Sequence, residues 1–202
     1  MYPVASMNDK DFRNLMHVYL DAVFFPRIYE NPKIFQQEAW HYELKSKDAP
    51  VQYKGVVYNE MKGAYSSPSR ILGYHTDKNL FPDNTYGYSS GGYPEKIPEL
   101  TYEHFKNFHE KYYHPTNSYL YLYGNSDLDS DLQFINKEYL SKFDKLDKTA
   151  QIKKQEPFDE MKEVVEYYPV RKTENTENKT FLSMDWVIGD GANQALTMKM
   201  RI

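Results

Sequence analysis

Helix punctuation cuts the first 115 residues of this chain into short segments, and no long uninterrupted helix fits among them. Phe12, Leu15, Met16, Tyr19, Leu20 and Val23 recur at three- and four-residue spacing, so Asn8 to Phe25 reads as an amphipathic helix. Asn8 or Asp9 would cap it and Pro26 stops it. Asn31 as cap and Pro32 at the first helical position, where its missing N–H is not needed, open a second helix over Lys33 to Leu44. After a polar connection from Lys45 to Pro50, a third helix is expected over Gln52 to Tyr65, interrupted by the Ser-Ser-Pro-Ser run at Ser66 to Ser69. Thr101 caps a fourth that runs through Tyr113 and ends at Pro115.

Between these helices, Leu80 to Pro98 is dense in Pro, Gly, Asn and Ser. A compact domain seldom keeps so long an irregular stretch without a use for it, which makes this a candidate binding loop. Gly91 and Gly92 within it could form a peptide-binding turn or simply supply backbone freedom. Ser118 to Tyr123 alternates Tyr and Leu, the pattern of a strand with Leu facing a core and Tyr119, Tyr121 and Tyr123 on the other side. Beyond Gly124 the chain turns charged, with a short helix near Leu132 to Phe143 and then a Lys/Glu/Asp-rich run to about Asn178 that reads as a linker. At most one strand is expected in it, around Val164 to Tyr168. Phe181 to Ile188 looks like a further strand, and Ala192 to Met200 like the start of a helix. A strand and two helical turns cannot bury an apolar face, so this last portion reads as the opening of another domain.

Composition narrows the function classes. With 202 residues, 40% hydrophobic and 27% charged, the chain can bury a core of its own. A net charge of −4 supplies no positive field for a nucleic-acid backbone, so nucleic acid is not an expected partner. No Cys is present, which removes disulfides and thiolate metal sites together and agrees with a reducing compartment, the cytoplasm by default. The amino terminus lacks the basic and apolar regions of a signal peptide, and no stretch approaches the length of a membrane span; no membrane association is expected. The 20 Tyr suit surfaces that grip peptides as well as core strands.

Two carboxylates stand where carboxylates are costly. At 100° per residue, Glu38 falls between Ile34 and Tyr42, close to Phe35, and Glu60 falls between Val56 and Ala64 with Val57 alongside. Both are therefore predicted buried, and a buried carboxylate needs a partner: a salt bridge, hydrogen bonds or a metal.

Several consecutive blocks resemble a known family. YPVAS at Tyr2 to Ser6, YLDAVFFP at Tyr19 to Pro26, QQEAWHYEL at Gln36 to Leu44, YKGVVYNEMKGAY at Tyr53 to Tyr65 and the stretch from Phe81 to Asn125 are similar, in one register, to the presequence protease branch of the insulinase-type zinc metallopeptidases. The resemblance implies a zinc endopeptidase of two similar halves around a chamber, acting on unstructured peptides. In the family two histidines and a catalytic glutamate come from a His-x-x-Glu-His helix, and a more distal glutamate completes the ligand set. Zinc then keeps an open position for water. By the NEMKG match Glu60 corresponds to that distal ligand, and Glu38 to an acid beside the ligands that supports them. Gly91 and Gly92 would then bind substrate.

This chain contains no His-x-x-Glu-His. Leu100 to His104 has the glutamate and second histidine but Leu for the first ligand, and His109 and His114, five apart, diverge by about 140° around a helix. His104, His109 and His114 are therefore expected to be packing or surface residues. Tyr93 also departs from the Asp common after the two glycines. The chain is accordingly expected to be a fragment whose paired-histidine helix lies upstream of Met1: inactive and without tight zinc binding alone, although the complete enzyme would hold zinc. A non-catalytic peptide-binding or partner subunit is the alternative. The fold expected is α+β, an antiparallel-dominated sheet with helices on one face. Residues 1–148 would belong to the zinc-site domain, 149–178 to a linker and 179–202 to the start of a second, similar domain. Its exposed sheet edge would favour a dimer or a complementing fragment.

Overall fold

Asn8 accepts a hydrogen bond from the Asp11 N–H and so starts helix α1 at Asp9–Phe24, and the run halts one residue before Pro26. In the computed structural model, which describes residues 1–147 and 150–200, helices α2 (Pro32–Glu38), α3 (Val56–Ala64), α4 (Pro68–Leu80), α5 (Tyr102–Tyr112), α6 (Leu128–Glu138) and α7 (Gln194–Lys199) follow. Strands β1 (His41–Glu43) and β2 (Gln52–Lys54) lie between α2 and α3. They pair antiparallel, with Tyr42 opposite Tyr53. The class is α+β. The domain boundary expected at 148/149 lies outside the described residues.

The chain divides into two compact units, residues 1–58 with 97–151, and residues 59–96 with 152–202. In the first, α1 and α6 bury Met16, Leu20 and Phe24 against Ile135 and Tyr139, with Phe12, Phe134 and Phe143 around them. Tyr139 is 1% exposed, and its hydroxyl meets both His17 Nδ1 at 2.6 Å and the His17 carbonyl at 2.8 Å. Arg13 on α1 reaches Asp131 on α6 at 2.7 Å. Phe35 of α2 packs on Tyr102 and Phe105 of α5. In the second unit, α4 packs beside the turn at Thr85–Gly87, and His75 stands 3.0 Å from Glu166, too poorly aligned for a hydrogen bond.

Several sequence expectations are corrected here. The helix expected over Lys33 to Leu44 stops at Glu38, because the Trp40 indole N–H donates to the Leu100 carbonyl and His41–Glu43 pairs as a strand. The helix expected from Gln52 starts at Val56, since Gln52–Lys54 is the partner strand. Gly55 makes the corner: a Cβ there would stand 2.2 Å from the Ala39 carbonyl oxygen. The Ser-Ser-Pro-Ser run does not merely interrupt a helix but begins α4, with Ser67 as cap and Pro68 at the first position. The antiparallel-dominated sheet is, among the described residues, the β1–β2 pair alone. Ser118 to Tyr123 keeps the expected sidedness only in part: Leu122 packs on the core and the three tyrosines are exposed, but Leu120 is exposed too, and among the described residues no strand pairs with the segment. Val164 to Tyr168 and Phe181 to Ile188 are likewise unpaired.

Candidate functional site

Helix α3 carries the residue with the strongest functional claim. Val56, Glu60 and Ala64 share one of its faces, as their four-residue spacing requires. That face is open to solvent, and Glu60 is exposed rather than buried. The helical wheel grouped the residues correctly but took the wrong face as the packed one. The packed side carries Met61, half-buried, and Tyr65, which is buried just past the helix end. Glu38, the last residue of α2, is half-buried, and it accepts a hydrogen bond from the Gln37 amide at 3.1 Å. Its burial was over-predicted because the helix ends there instead of continuing along the apolar stripe.

The glycine pair has a clear structural place. Gly92 takes φ of 91°, a conformation that favours glycine, and closes a turn in which its N–H donates to the Ser89 carbonyl at 3.1 Å. Gly91 lies against α3, so close that a Cβ would stand 2.4 Å from the Met61 sulfur. Tyr93, directly after the pair, stacks face to face on Tyr74 of α4 with centroids 4.3 Å apart and planes 6° apart. Tyr65 meets both rings edge-on, at 5.1 Å from Tyr93 and 5.7 Å from Tyr74. Burial first, and neighbouring phenols and carboxylates second, hold the Tyr74 and Tyr93 hydroxyls above the usual phenol range. The structure thus brings Gly91, Gly92, Met61 and three tyrosines together, with Glu60 on the other side of the same helix. Tyr65 and Tyr74 carried no flag in the sequence. Their spacing of nine is not a helical repeat, because Pro68 separates the two helices.

The histidines are accounted for otherwise. His109 Nε2 lies 2.7 Å from the Val23 carbonyl and must donate to it, so Nδ1 accepts from the Tyr29 hydroxyl at 2.8 Å. His114 Nδ1 accepts from the Thr116 N–H, and its ring meets Phe143 edge-on. His104 is exposed at the start of α5. Among the described residues no three His, Asp or Glu side chains stand together in a way that could hold a metal ion. The described residues by themselves therefore do not fit a catalytic zinc site, which takes three protein ligands. No helix among the described residues is long and apolar enough to cross a membrane.

Residues 99–201 match the family described as the peptidase M16 inactive domain. The chain is 51% identical over 193 residues to the protein HypA of Clostridium perfringens, covering 96% of this chain and 20% of that protein. It is 47% identical over 191 residues to presequence protease 1, chloroplastic/mitochondrial, of Arabidopsis thaliana (94% and 18%). With the mitochondrial presequence protease of Danio rerio the identity is 40% over 194 residues (94% and 19%). The chain spans about a fifth of the length of these relatives. The chain belongs to the M16, insulinase-type peptidase family, on its presequence protease-like branch.

Proposed function

We propose that this chain forms part of a zinc-dependent metalloendopeptidase that degrades unstructured peptides. Glu60 would supply one zinc ligand, Glu38 an acid beside the ligands, and Gly91 with Gly92 a turn along which peptide lies. The observation that carries the reading is the alignment of the chain, over 94% of its length and at 47% identity, to presequence protease 1 of Arabidopsis; Glu60 stands open to solvent on α3, where burial was expected. An exposed carboxylate is available to imidazoles brought by another part of a longer protein, which a buried salt bridge would not be. Residues 1–148 would then belong to the zinc-site domain, with 179–202 starting a second one. The extended segment Ser118 to Tyr123, which pairs with no strand among the described residues, would take a strand from outside this chain. The lack of Cys suits a reducing compartment such as the cytoplasm, whereas the Arabidopsis and zebrafish relatives are named for organelles.

The test replaces the corresponding segment of the Arabidopsis presequence protease with this chain and assays a quenched peptide. Chelator-sensitive cleavage is expected, and Glu60→Gln should abolish both cleavage and stoichiometric zinc. The chain alone should show no tight zinc binding by calorimetry. Full activity and full zinc content in the Glu60→Gln chimera would overturn the assignment. The match to the inactive domain favours a second reading, a non-catalytic peptide-binding or partner subunit. That reading is preferred if the chimera binds peptide but never cleaves it.

A further inference from the structure

We infer that Tyr93 is a positioning residue: stacked on Tyr74 and braced by Tyr65, it clamps the Gly91–Gly92 turn onto helix α3. The inference rests on the reading of that turn as peptide-binding, and it extends the reading to a residue with no part in the ligand set. Three independent contacts converge. The parallel stack at 4.3 Å ties the loop to α4, and the edge-on approach at 5.1 Å ties it to the end of α3. The Met61 sulfur fills the space beside Gly91, so the backbone of the turn rests directly on the helix that bears Glu60. Within the turn, Gly92 donates to the Ser89 carbonyl and the Ser89 hydroxyl donates to the Gly92 carbonyl at 3.3 Å.

The turn's own hydrogen bonds, one from backbone and one from a hydroxyl, are too few to hold a part-exposed loop closed, so what packs against the turn keeps both its shape and its place. The Met61 side chain against Gly91 sets a distance but no orientation, since glycine offers no side chain to interlock with it. Placement falls to the next residue with a large ring, and Tyr93 has two partners waiting, one flat against it and one perpendicular. Offset or edge-on ring pairs are directional, so the pair of contacts sets an orientation as well as a distance. The phenol oxygen has no role in either contact, and a Phe at this position would hold the turn equally well. A peptide laid along the turn would meet a prearranged backbone, and it would not have to order the loop on binding.

Two measurements separate this inference from the metallopeptidase reading. In the 202-residue chain, amide hydrogen exchange is followed at Gly92, whose N–H is bonded within the turn. Tyr93→Ala should speed it by about tenfold or more while Tyr93→Phe leaves it unchanged, because ring contacts of this kind are each worth about that order in a local opening equilibrium. Equal exchange in Tyr93→Ala and the parent would overturn the clamp whatever the chain's function. In the chimera with the Arabidopsis protease, Tyr93→Ala should raise KM for peptide about three- to tenfold with kcat and zinc content within about twofold, and Tyr93→Phe should restore KM. An active chimera whose KM ignores Tyr93→Ala would refute the positioning role. An inactive chimera carrying the parent Tyr93 would instead count against the metallopeptidase reading, and the exchange experiment would still decide the clamp.

Discussion

Removing the hydroxyl of Tyr139 should weaken the first compact unit measurably, and the structure says by how much. The ring lies in the core with 1% exposure, between His17, Phe25 and Phe134. Its single O–H proton can serve only one of its two neighbours. Donation to the His17 carbonyl requires His17 Nδ1 to carry a proton and donate to the phenol oxygen, so two hydrogen bonds depend on one atom. Tyr139→Phe deletes both without leaving a large void. At about 0.5 to 1.5 kcal/mol net for each bond, the loss is about 1 to 3 kcal/mol. With a urea slope of about 2 kcal/mol per molar, the midpoint falls by about 0.5 to 1.5 M at unchanged slope. Tyr139→Ala adds a cavity and should cost about 3 to 5 kcal/mol, a large share of a typical domain's stability. Each compact unit holds one tryptophan, so Trp40 fluorescence in a Trp186→Phe background reports on the first unit alone. A Tyr139→Phe midpoint shift below about 0.2 M would refute the reasoning; in a His17→Phe background the shift should be smaller but not zero, since the hydroxyl keeps the backbone carbonyl of residue 17 and loses only the imidazole.

Further outcomes follow from the same packing. Arg13→Ala should destabilise by about 1 to 3 kcal/mol in urea melts, because Asp131 is 2% exposed and its second oxygen already lacks a hydrogen bond within the protein. The 40% exposure of the Arg13 side chain keeps the figure below that of a fully buried pair, and Arg13→Met with Asp131→Leu should recover most of it. The Tyr113 phenol is pushed up to about 12 by burial and then by its hydrogen bond with Tyr2. The folded chain holds that proton longer than the unfolded one, so the contribution is intact below pH 10 and lost as pH climbs from 10 to about 12. Relative to Tyr113→Phe, the parent should lose about 1 kcal/mol across that interval, solvent screening included; parallel stability profiles would refute this. Sedimentation should show concentration-dependent association that Tyr121→Lys reduces, since Ser118 to Tyr123 is an unpaired, Tyr-rich extended segment.

Local chemistry in the sequence was enough to find α1 and α5, because each has its cap residue bonded where expected: Asn8 to Asp11 and Thr101 to His104. Helix α6, expected near Leu132 to Phe143 with no cap, is capped by Asp127 and runs Leu128–Glu138. Local chemistry failed between residues 38 and 55, where apolar spacing compatible with a helix concealed the short strands. The alternation in Trp40 to Glu43 and Val51 to Lys54 was the available signal, but each strand is only three residues long, and tertiary pairing decided the outcome. Helix α4 was missed because Ser67-Pro68 was taken as a break, although Ser before Pro is equally a start. At the candidate site, the wheel identified the neighbours of Glu60 but not which side of α3 would be covered, because periodicity carries no information about what packs against a helix. The tyrosine clamp was illegible for a related reason: Tyr65, Tyr74 and Tyr93 lie far apart in sequence and meet only in three dimensions.

Gly55 shows how a corner of backbone can be as unforgiving as any catalytic group. Any added carbon there would collide with the Ala39 carbonyl, whereas Gly63 and Gly73 have nothing within 4 Å of where a methyl would sit. A library of random variants selected for soluble expression alone should therefore recover alanine and serine at positions 63 and 73 and almost nothing but the parent residue at 55. Strict retention of that glycine in a mutational survey would record the tightness of a join, with no bearing on chemistry.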